Sequence, residues 1–332
     1  MGKPLPLVSI IIPCRNEETF IAKCLDSILA TTYPIQRLEI FIIDGLSEDN
    51  TGKIITLYQK KHPFIRVIKN SKKIIPVAMN IGIKHAKGDV IIKMDAHTTY
   101  LKDYITKCID YLEQYQADNV GGMLVTRPRT TGIIAKSIAL CISHRFGSGN
   151  SYFKTGVDQL QFVDAVAFGC YPKEVFTRIG LYNEHLVRSS DMELNIRLRN
   201  AGGKILLAPD IIAYYYTDSS LLAFWKHNFK DGVWATYPLK FTRALFPVRH
   251  FIPLILVISV FGSFLISFIS PGFWLFLLFI LGIYAAAALI SALHIVMRER
   301  NIQYIFFTPI VFVIRHFAYG IGSFWGFAKL VF

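Results

Sequence analysis

Asp95 and His97 are the most suggestive pair of side chains in this 332-residue sequence, because they follow the apolar run Val90–Met94 and are two residues apart. Residues i and i+2 of an extended segment point to the same side, so both side chains can reach one ion. A carboxylate and an imidazole together suit Mn²⁺ or Mg²⁺ bridging a diphosphate. A capping aspartate beside an unrelated histidine is the structural alternative.

Asp44 is a second candidate, since it ends the apolar run Leu38–Ile43 and is followed by Gly45. Its carboxylate can accept a hydrogen bond from a nucleobase imide or a ribose hydroxyl, and the glycine permits a sharp turn without steric cost. A polar segment follows the preceding apolar run as well and comprises Pro13, Cys14, Arg15, Asn16 and Glu17. We predict that both segments bind a nucleotide-containing donor, while a helix N-cap is the alternative role for Asn16.

Asp191 and Glu193 open a predicted helix, Asp191–Ala201. Residues two apart on a helix point about 200° apart, so the two carboxylates cannot face the same substrate. We assign Asp191 as the base that deprotonates an acceptor hydroxyl. As the earlier of the two residues, it lies at the start of the helix, next to the preceding loop. Glu193 then serves the helix N-terminus or Arg197, and both residues are further candidates for acceptor binding. The alternative is that both carboxylates only complement the helix dipole.

Four more charged residues are weaker candidates. Lys73 could approach a diphosphate, although a solvated loop is the commoner place for a lysine. Lys154 and Asp164 lie in an irregular region, 127–189, where an acceptor could bind. Arg315 interrupts an apolar segment, where charges are costly and tend to be functional, so it could hold a lipid diphosphate. Snorkelling of its side chain to lipid headgroups is the alternative.

The elements that must position these residues alternate between apolar strands and helical patterns. Strand candidates are Leu7–Ile12, Leu38–Ile43, Ile65–Ile68, Val90–Met94 and Val120–Val125, and helix candidates lie near Glu17–Leu29, Thr51–Lys61, Pro76–Ala86 and Leu101–Tyr115. Such alternation predicts an α/β domain with a mostly parallel sheet covered on both faces. Ligands of such sheets bind beyond the carboxyl ends of the strands. Further along, Pro209 separates two short strand candidates.

The C-terminal region has the composition of a membrane segment, since no charged residue occurs from Phe251 to Leu293. That length can cross a bilayer twice at about 20 residues per span. We predict a domain at 1–220, an interfacial amphipathic segment at 221–250 and a transmembrane region at 251–332, with spans near 251–269 and 273–297. The stretch 304–331 is either a third span or a re-entrant hairpin.

Charge and cysteine content restrict the compartment and the partners. Lys240, Arg243 and Arg249 precede the first predicted span, which places the N-terminal domain in the cytoplasm by the positive-inside rule. The net charge of +13 suits anionic headgroups and nucleotide substrates, and no nucleic-acid-binding signature accompanies it. Five scattered cysteines without a CxxC pair fit a reducing compartment.

Four motifs in this order resemble those of family 2 inverting glycosyltransferases, which have the GT-A fold. The motifs are Pro13-Cys-Arg-Asn-Glu17, Asp44-Gly-Leu-Ser-Glu-Asp-Asn-Thr51, Asp95-Ala-His97 and Ser190-Asp-Met-Glu-Leu-Asn-Ile-Arg197. The chain is also similar to the succinoglycan-biosynthesis ExoA-like branch. Two stretches that carry this closer resemblance are Phe146-Gly-Ser-Gly-Asn-Ser151 and Arg315-His-Phe-Ala-Tyr-Gly-Ile-Gly322.

The resemblance implies that Asp44 contacts the base, Asp95 and His97 hold the metal and diphosphate, and Asp191 is the catalytic base. It implies Mn²⁺ or Mg²⁺ as cofactor, a nucleotide-diphosphate sugar (UDP-linked hexose) as donor and a polyprenyl-linked oligosaccharide as acceptor. The enzyme would lie in the inner membrane, among its lipids and other polysaccharide-assembly proteins. Two positions depart from the family pattern, because His97 replaces an aspartate and Ser190 replaces a glutamate.

Three other functions remain open from the sequence. A polyprenyl-phosphate glycosyl synthase would load one sugar directly onto a lipid phosphate. A nucleotidyltransferase can share this sheet, but it would need a glycine-rich phosphate loop after the first strand, where residues 13–17 stand. A non-catalytic nucleotide-sugar-binding scaffold would be expected to lack the carboxylates of Asp44, Asp95 and Asp191.

Overall fold

The computed structural model describes residues 4–242 and 246–331, and it divides into two compact units. The first, here called the sheet unit, comprises Met1–Val125 and Gly156–Tyr215. The second, the helical unit, comprises Thr126–Thr155 and Tyr216–Phe332. A single boundary at residue 220 therefore does not describe the chain, because the segment Thr126–Thr155 joins the C-terminal helices. Arg243, one of the basic residues used to predict orientation, lies outside the described residues.

Nine strands of the described residues form one mixed sheet. They are β1 (Val8–Cys14), β2 (Leu38–Asp44), β3 (Ile65–Lys69), β4 (Val90–Lys93), β5 (Thr98–Tyr100), β6 (Asn119–Pro128), β7 (Gln161–Phe162), β8 (Ala167–Pro172) and β9 (Ile205–Thr217). Their order is β3-β2-β1-β4-β8-β6-β9-β5, and β7 also pairs with β9. The first four are parallel, whereas β8 runs antiparallel to β4 and β5 runs antiparallel to β9. The sheet is thus parallel only in its N-terminal half.

The described residues also form thirteen α-helices. In chain order they are α1 (Ile21–Leu29), α2 (Thr51–Lys61), α3 (Ile75–His85), α4 (Tyr104–Tyr115), α5 (Ile133–Ser143), α6 (Arg145–Ser148), α7 (Tyr152–Thr155), α8 (Glu174–Ile179), α9 (Ser190–Asn200), α10 (Leu221–Thr236), α11 (Ile252–Ser267), α12 (Gly272–Glu299) and α13 (Tyr304–Val331). In α1 the buried side chains Ile21, Cys24, Leu25 and Ile28 recur at helical spacing. In β1 and β2 nearly every side chain is buried, as expected for strands covered on both faces.

Pro209 lies within a single strand, so the prediction of two separate strands was wrong. The residues before it, Leu206 and Leu207, pair with β7, and Ala213 to Tyr215 pair with β5. Pro209 therefore lies between the part of β9 that pairs with β7 and the part that pairs with β5.

Three helices of the described residues are long and apolar enough to cross a membrane, at Val248–Ser267, Gly272–Glu299 and Tyr304–Leu330. The last is one continuous helix of 28 residues with Pro309 inside it, so the stretch is a third candidate span and not a hairpin. At 1.5 Å per residue, a helix of this length exceeds the hydrocarbon core of about 30 Å. These helices fit association of the protein with a membrane.

Glycines let α10 and α13 of the helical unit approach each other closely. A Cβ added to Gly322 would overlap the carbonyl oxygen of Phe229, and one added to Gly232 would overlap that of Tyr319. Small residues permit such close backbone packing between apolar helices. The segment predicted to be interfacial is thus packed along α13 over the length of α10.

Candidate active site at the carboxyl ends of the parallel strands

Strand register brings three of the sequence motifs to one edge of the sheet. Cys14 pairs with Asp44 across β1 and β2, and Ile11 pairs with Lys93 across β1 and β4. These strands are parallel neighbours, so the residues that follow them leave the sheet on the same side. Asp44, the segment 13–17 and Asp95 therefore share the edge at which α/β sheets bind ligands.

Hydrogen bonds connect the loops after β1 and β2 through Ser47. Its hydroxyl donates to Oδ1 of Asp44 at 2.6 Å and accepts from the backbone N–H of Asn16 at 3.0 Å. Oδ1 of Asn16 in turn accepts from the backbone N–H of Glu48 at 2.9 Å. The alternative of a helix cap for Asn16 is therefore wrong, because its side chain connects the two loops and α1 begins only at Ile21.

Arg15 and Cys14 occupy very different environments beside Asp44. The guanidinium of Arg15 is exposed, lies 3.5 Å from a carboxylate oxygen of Glu48, and its side chain packs against Gly45. Cys14 is buried, and burial together with the carboxylates of Glu17 and Asp44 raises the pKa of its thiol far above the usual value. Cys14 is therefore a neutral thiol, and Pro13 pairs with Ile43 within the sheet. Of the segment, Arg15 offers an exposed charge to an anionic ligand.

His97 follows β4 and is held by a carboxylate from the first loop. Its Nδ1 lies 2.9 Å from Oε1 of Glu17, and its ring packs edge-on against Tyr215. The backbone N–H of Asp95 donates to the Tyr100 hydroxyl at 2.7 Å. A carboxylate on one ring nitrogen commonly orients a metal-binding histidine.

The donor set around Asp95 fits a cation that is shared with a substrate. Among the described residues, no group of three or more His, Cys, Asp or Glu side chains is arranged to hold a metal ion. Mg²⁺ and similar ions often take only one or two protein carboxylates and complete their coordination with substrate phosphates and water. Asp95 and His97 match that smaller protein contribution.

Asp191 lies at the start of α9 and is tied to the sheet by Lys93. The Lys93 ammonium forms an ion pair with Oδ2 of Asp191, and the Asp191 side chain remains 44% exposed. Burial alone would lower the pKa of Lys93, but the carboxylates of Asp191 and Asp95 outweigh it and hold that pKa above its usual value. The buried Lys93 ammonium thus lies close to Asp191, the predicted base, and to Asp95, the predicted metal ligand.

Lys93 is the residue that the sequence reasoning missed. The sequence did contain a signal for it, because Lys93 lies within the apolar run Val90–Met94. A lysine is rarely buried in such a strand unless a carboxylate pairs with it. Tyr182 is a second omission, since its hydroxyl is buried near Asp191 and Tyr171. Burial, Tyr171 and the nearby Asp191 carboxylate raise the Tyr182 pKa well above its usual value. It is therefore a neutral hydroxyl close to Asp191.

Glu193 and Arg197 support the helix that carries Asp191. The two side chains form a bidentate pair, with Nε to Oε1 at 2.6 Å and Nη2 to Oε2 at 2.9 Å, and the Glu193 side chain is 3% exposed. Arg197 also donates to the carbonyl oxygens of Ile179 and Leu181. The pairing with Arg197 was predicted, but the suggestion that Glu193 contacts an acceptor conflicts with the burial of its side chain.

Four further predicted residues are distributed over the two units. Lys73 is exposed in the loop between β3 and α3 and has a left-handed backbone, with φ 58°. Asp164 lies between β7 and β8 and is half-buried. Lys154 and Arg315 belong to the helical unit. The cluster therefore consists of Asp44, Asp95, His97 and Asp191, together with residues 15–17 and Lys93.

Comparison with known proteins agrees with this arrangement. The model of glycosyl transferase family 2 matches residues 9–172. A dolichyl N-acetyl-α-D-glucosaminyl phosphate 3-β-D-2,3-diacetamido-2,3-dideoxy-β-D-glucuronosyltransferase of Methanococcus voltae is 30% identical, over 97% of each chain. The succinoglycan biosynthesis protein ExoA of Rhizobium meliloti is 27% identical over 95% of this chain and 93% of its own.

Solved structures show the same fold at low sequence identity. Mannosyltransferase PcManGT from Pyrobaculum calidifontis, in complex with GDP-Man and Mn²⁺, superposes with a TM-score of 0.60 at 17% identity, covering 96% of this chain and 87% of that one. S. aureus TarS 1-349 in complex with UDP-GlcNAc gives a TM-score of 0.52 at 15% identity, covering 92% and 90%. The fold, the ordered motifs and the full-length relative together show that this chain belongs to glycosyl transferase family 2 and has a GT-A domain followed by apolar helices.

Proposed function

We propose that this protein is a membrane-anchored inverting glycosyltransferase that extends a lipid-linked oligosaccharide during the synthesis of a cell-surface polysaccharide. The donor is a nucleotide-diphosphate sugar, with a UDP-linked hexose as the first choice. The observation that carries the proposal is the contact of Asp191 with Lys93, the last residue of β4, which stands two residues before Asp95. It joins the assigned base to the assigned diphosphate site.

The donor-binding side of the site uses the loops after β1, β2 and β4. Asp44, which Ser47 orients, accepts hydrogen bonds from the base or ribose, and the exposed Arg15 faces the anionic end of the nucleotide. Asp95 and His97 would hold Mn²⁺ or Mg²⁺, which would neutralise charge on the departing diphosphate. Lys73 stays a predicted additional contact to the diphosphate.

The transfer step assigns one proton movement to Asp191. Its carboxylate takes the proton of the acceptor hydroxyl while that oxygen attacks the anomeric carbon of the sugar. The bond from the anomeric carbon to the nucleoside diphosphate breaks on the opposite face, so the configuration inverts. Lys93 keeps the base oriented, and the buried pair of Glu193 and Arg197 anchors the helix beneath it.

Membrane association and a relative of the same length support a lipid-linked acceptor. The name of the Methanococcus voltae relative gives its acceptor as an N-acetylglucosamine attached to dolichyl phosphate. Such an acceptor offers a hydroxyl of a lipid-linked saccharide. Anchoring an enzyme in the membrane that holds its acceptor raises the effective concentration without new contacts. We propose that the catalytic domain faces the cytoplasm, where nucleotide sugars are made, and that Asp164 contributes to acceptor binding.

The direct test compares Asp191→Asn with the wild type in a transfer assay using labelled donor and lipid-linked oligosaccharide. Transfer should fall by about 10³-fold, because a general base typically contributes 10²–10⁴-fold, while donor affinity stays within about twofold. Asp110→Asn, at an exposed position on α4, is the matched control. Normal turnover by the Asp191 variant would remove that residue from its role.

The acceptor assay also separates the competing functions. A wild type that glycosylates polyprenyl phosphate but not the lipid-linked oligosaccharide is a glycosyl synthase. One that binds nucleotide sugar and transfers to neither acceptor is a scaffold. Either result would overturn the proposal.

A further inference from the structure

The helix α13 is packed along chain segments that precede the first candidate span. The Thr236 hydroxyl of α10 donates to the carbonyl oxygen of Ser323 at 2.8 Å. Nearer the middle of α13, Nε2 of His316 lies 2.9 Å from the carbonyl oxygen of Phe146, which belongs to α6. The first candidate span begins only at Val248, so both partner segments come before any predicted crossing of a membrane.

These partner segments carry exposed charges, which exclude them from the hydrocarbon core of a bilayer. Arg145 precedes Phe146, and Lys226 and Lys230 lie on α10; all three side chains are exposed. Charged side chains inside a bilayer are costly and face the interior of a helix bundle or a water-filled cavity. The apolar helix α5 has 11 residues, fewer than the about 20 that a span needs. The part of α13 that packs on these segments is therefore held outside the hydrocarbon core with them.

Two contacts with α13 show how much of the α11–α12 hairpin is held at the same level. The Tyr284 hydroxyl, near the middle of α12, lies 2.9 Å from Nδ1 of His316. On α11, the Val257 side chain lies where a Cβ added to Gly320 would be. The residues of α11 and α12 that are nearer to the connecting turn than Val257 and Tyr284 form the outer part of the hairpin.

The outer part of the hairpin is too short to cross a bilayer. At 1.5 Å per residue, α11 extends about 15 Å from Val257 to Ser267, and α12 extends about 18 Å from Tyr284 back to Gly272. The hydrocarbon core is about 30 Å thick, so the outer part reaches about half of that depth. Its exposed apolar side chains, which lipid would cover there, include Phe261, Leu265, Leu275 and Phe279.

The turn at the tip of the hairpin is suited to lipid instead of water. It comprises residues 268–271, contains no charged residue, and leaves the Ile269 side chain 87% exposed. The three backbone N–H groups before Pro271 donate to carbonyl oxygens in the last turn of α11, and Pro271 itself has no N–H. A turn whose donors are used internally can lie in hydrocarbon, where an unpaired backbone group is costly.

The helix α13 is attached to the protein on one side and has an exposed apolar face on the other. Arg315 marks the attached side, since its guanidinium donates to the carbonyl oxygen of Gly147 and, at 3.1 Å, to Oδ1 of Asn228. Four exposed apolar side chains recur at helical spacing on the opposite side, namely Phe306, Ile310, Val313 and Phe324. Such a face is typical of a helix that lies in the plane of a membrane surface.

We propose that this protein enters the membrane from one side only and that no helix of residues 4–242 and 246–331 crosses it. The tip of the α11–α12 hairpin lies in the near leaflet, and α13 lies along the membrane surface with its exposed apolar face against lipid. That a membrane is the partner rests on the proposed function. Both ends of the chain then lie on the catalytic side, and the predicted spans are replaced by one re-entrant hairpin and one interfacial helix.

The first test compares the membrane side of two distant positions in closed vesicles of native membrane. Thr56→Cys on α2 and Lys329→Cys on α13 each place one thiol at an exposed position. The five native cysteines are buried, so the unsubstituted protein gives the background. A membrane-impermeant maleimide should label both variants in vesicles of the same orientation. Labelling of the two variants in opposite orientations would show that α13 crosses and would overturn the proposal.

The second test measures the depth of the hairpin tip. A nitroxide is attached in detergent to Ser270→Cys, an exposed position, and the full-length protein is reconstituted into phosphatidylcholine vesicles. The nitroxide should collide often with oxygen and rarely with a water-soluble nickel complex, as a label near the bilayer centre does. A nitroxide at Lys136→Cys, an exposed position on α5, is the matched control and should collide often with nickel. Frequent collision of the tip label with nickel would place the tip in water and contradict the proposal.

The arrangement in the membrane is separable from the transfer assay. One-sided insertion of a protein that transfers no sugar to a lipid-linked acceptor would support this arrangement and refute the proposed function. Active transfer by a protein whose two labelled positions lie on opposite sides would support the function and refute the arrangement.

Discussion

Lys93 shows how one buried charge can organise a catalytic edge. It lies on a strand that is otherwise apolar, and its ammonium pairs with Asp191 and lies close to Asp95. Removing Lys93 would leave the half-exposed Asp191 carboxylate without the group that orients it. Here the remaining group would be the assigned base, so the effect should appear in turnover.

We predict that Lys93→Met lowers kcat by about 10–100-fold with little change in donor affinity, because Asp191 loses the contact that orients it. Lys93→Arg should recover part of the loss. The measurement is steady-state transfer with donor binding followed in parallel, and Lys84→Met, an exposed change on α3, is the control. Unchanged kcat in Lys93→Met would show that Asp191 needs no such support.

The pair of Glu17 and His97 gives a second prediction at this scale. Chelation by EDTA should stop transfer, and Mn²⁺ or Mg²⁺ should restore it. Glu17→Gln should raise the metal concentration needed for half-maximal activity by about tenfold, because the partner that orients His97 is weakened. Full activity in chelator would refute a metal site at Asp95 and His97.

At the scale of elements, backbone contact between α10 and α13 determines how tightly the helical unit packs. A Cβ at Gly322 meets the backbone of Phe229, which cannot move aside as the end of a flexible side chain can. A Cβ at Gly262 of α11, by contrast, has no neighbour within 4 Å. The two glycines therefore form a matched pair for substitution.

Gly322→Ala should destabilise the protein by about 1–3 kcal/mol through overpacking, seen as a lower Tm in detergent. Gly262→Ala should leave the Tm unchanged or raise it, since alanine is favoured over glycine in a helix by about 0.5–1 kcal/mol. Equal effects of the two changes would mean that α10 and α13 do not depend on close approach.

At the scale of the whole molecule, local patterns predicted the parallel strands and the edge at which their ligands bind. Continuous apolar runs identified β1, β2 and β4, and the polar residues after them identified Asp44 and Asp95. The contacts that complete the site could not be predicted in this way, because Lys93 and Asp191 are 98 residues apart and Glu17 and His97 are 80 apart. Their meeting depends on how the entire sheet is ordered.

Three strands of the antiparallel half of the sheet, β5, β7 and β8, escaped prediction for a related reason. Strands such as β5 and β7 contain three and two residues, too few to show a period. They are stabilised by pairing with β9, which is distant in sequence. The region 127–189, which was predicted to be irregular, contains the helices α5 to α8 as well as the short strands β7 and β8.

The chain passes between the two units three times, after Val125, Thr155 and Tyr215. During synthesis, the apolar helix α5 leaves the ribosome long before α12 and α13, whose Ile295, Val311 and Phe312 share its hydrophobic cluster. A fragment that stops near residue 220 would leave α5 without these partners and would expose its apolar side chains. The C-terminal apolar helices are therefore also packing partners of α5, and we expect a fragment that ends near residue 220 to be less soluble than the full chain.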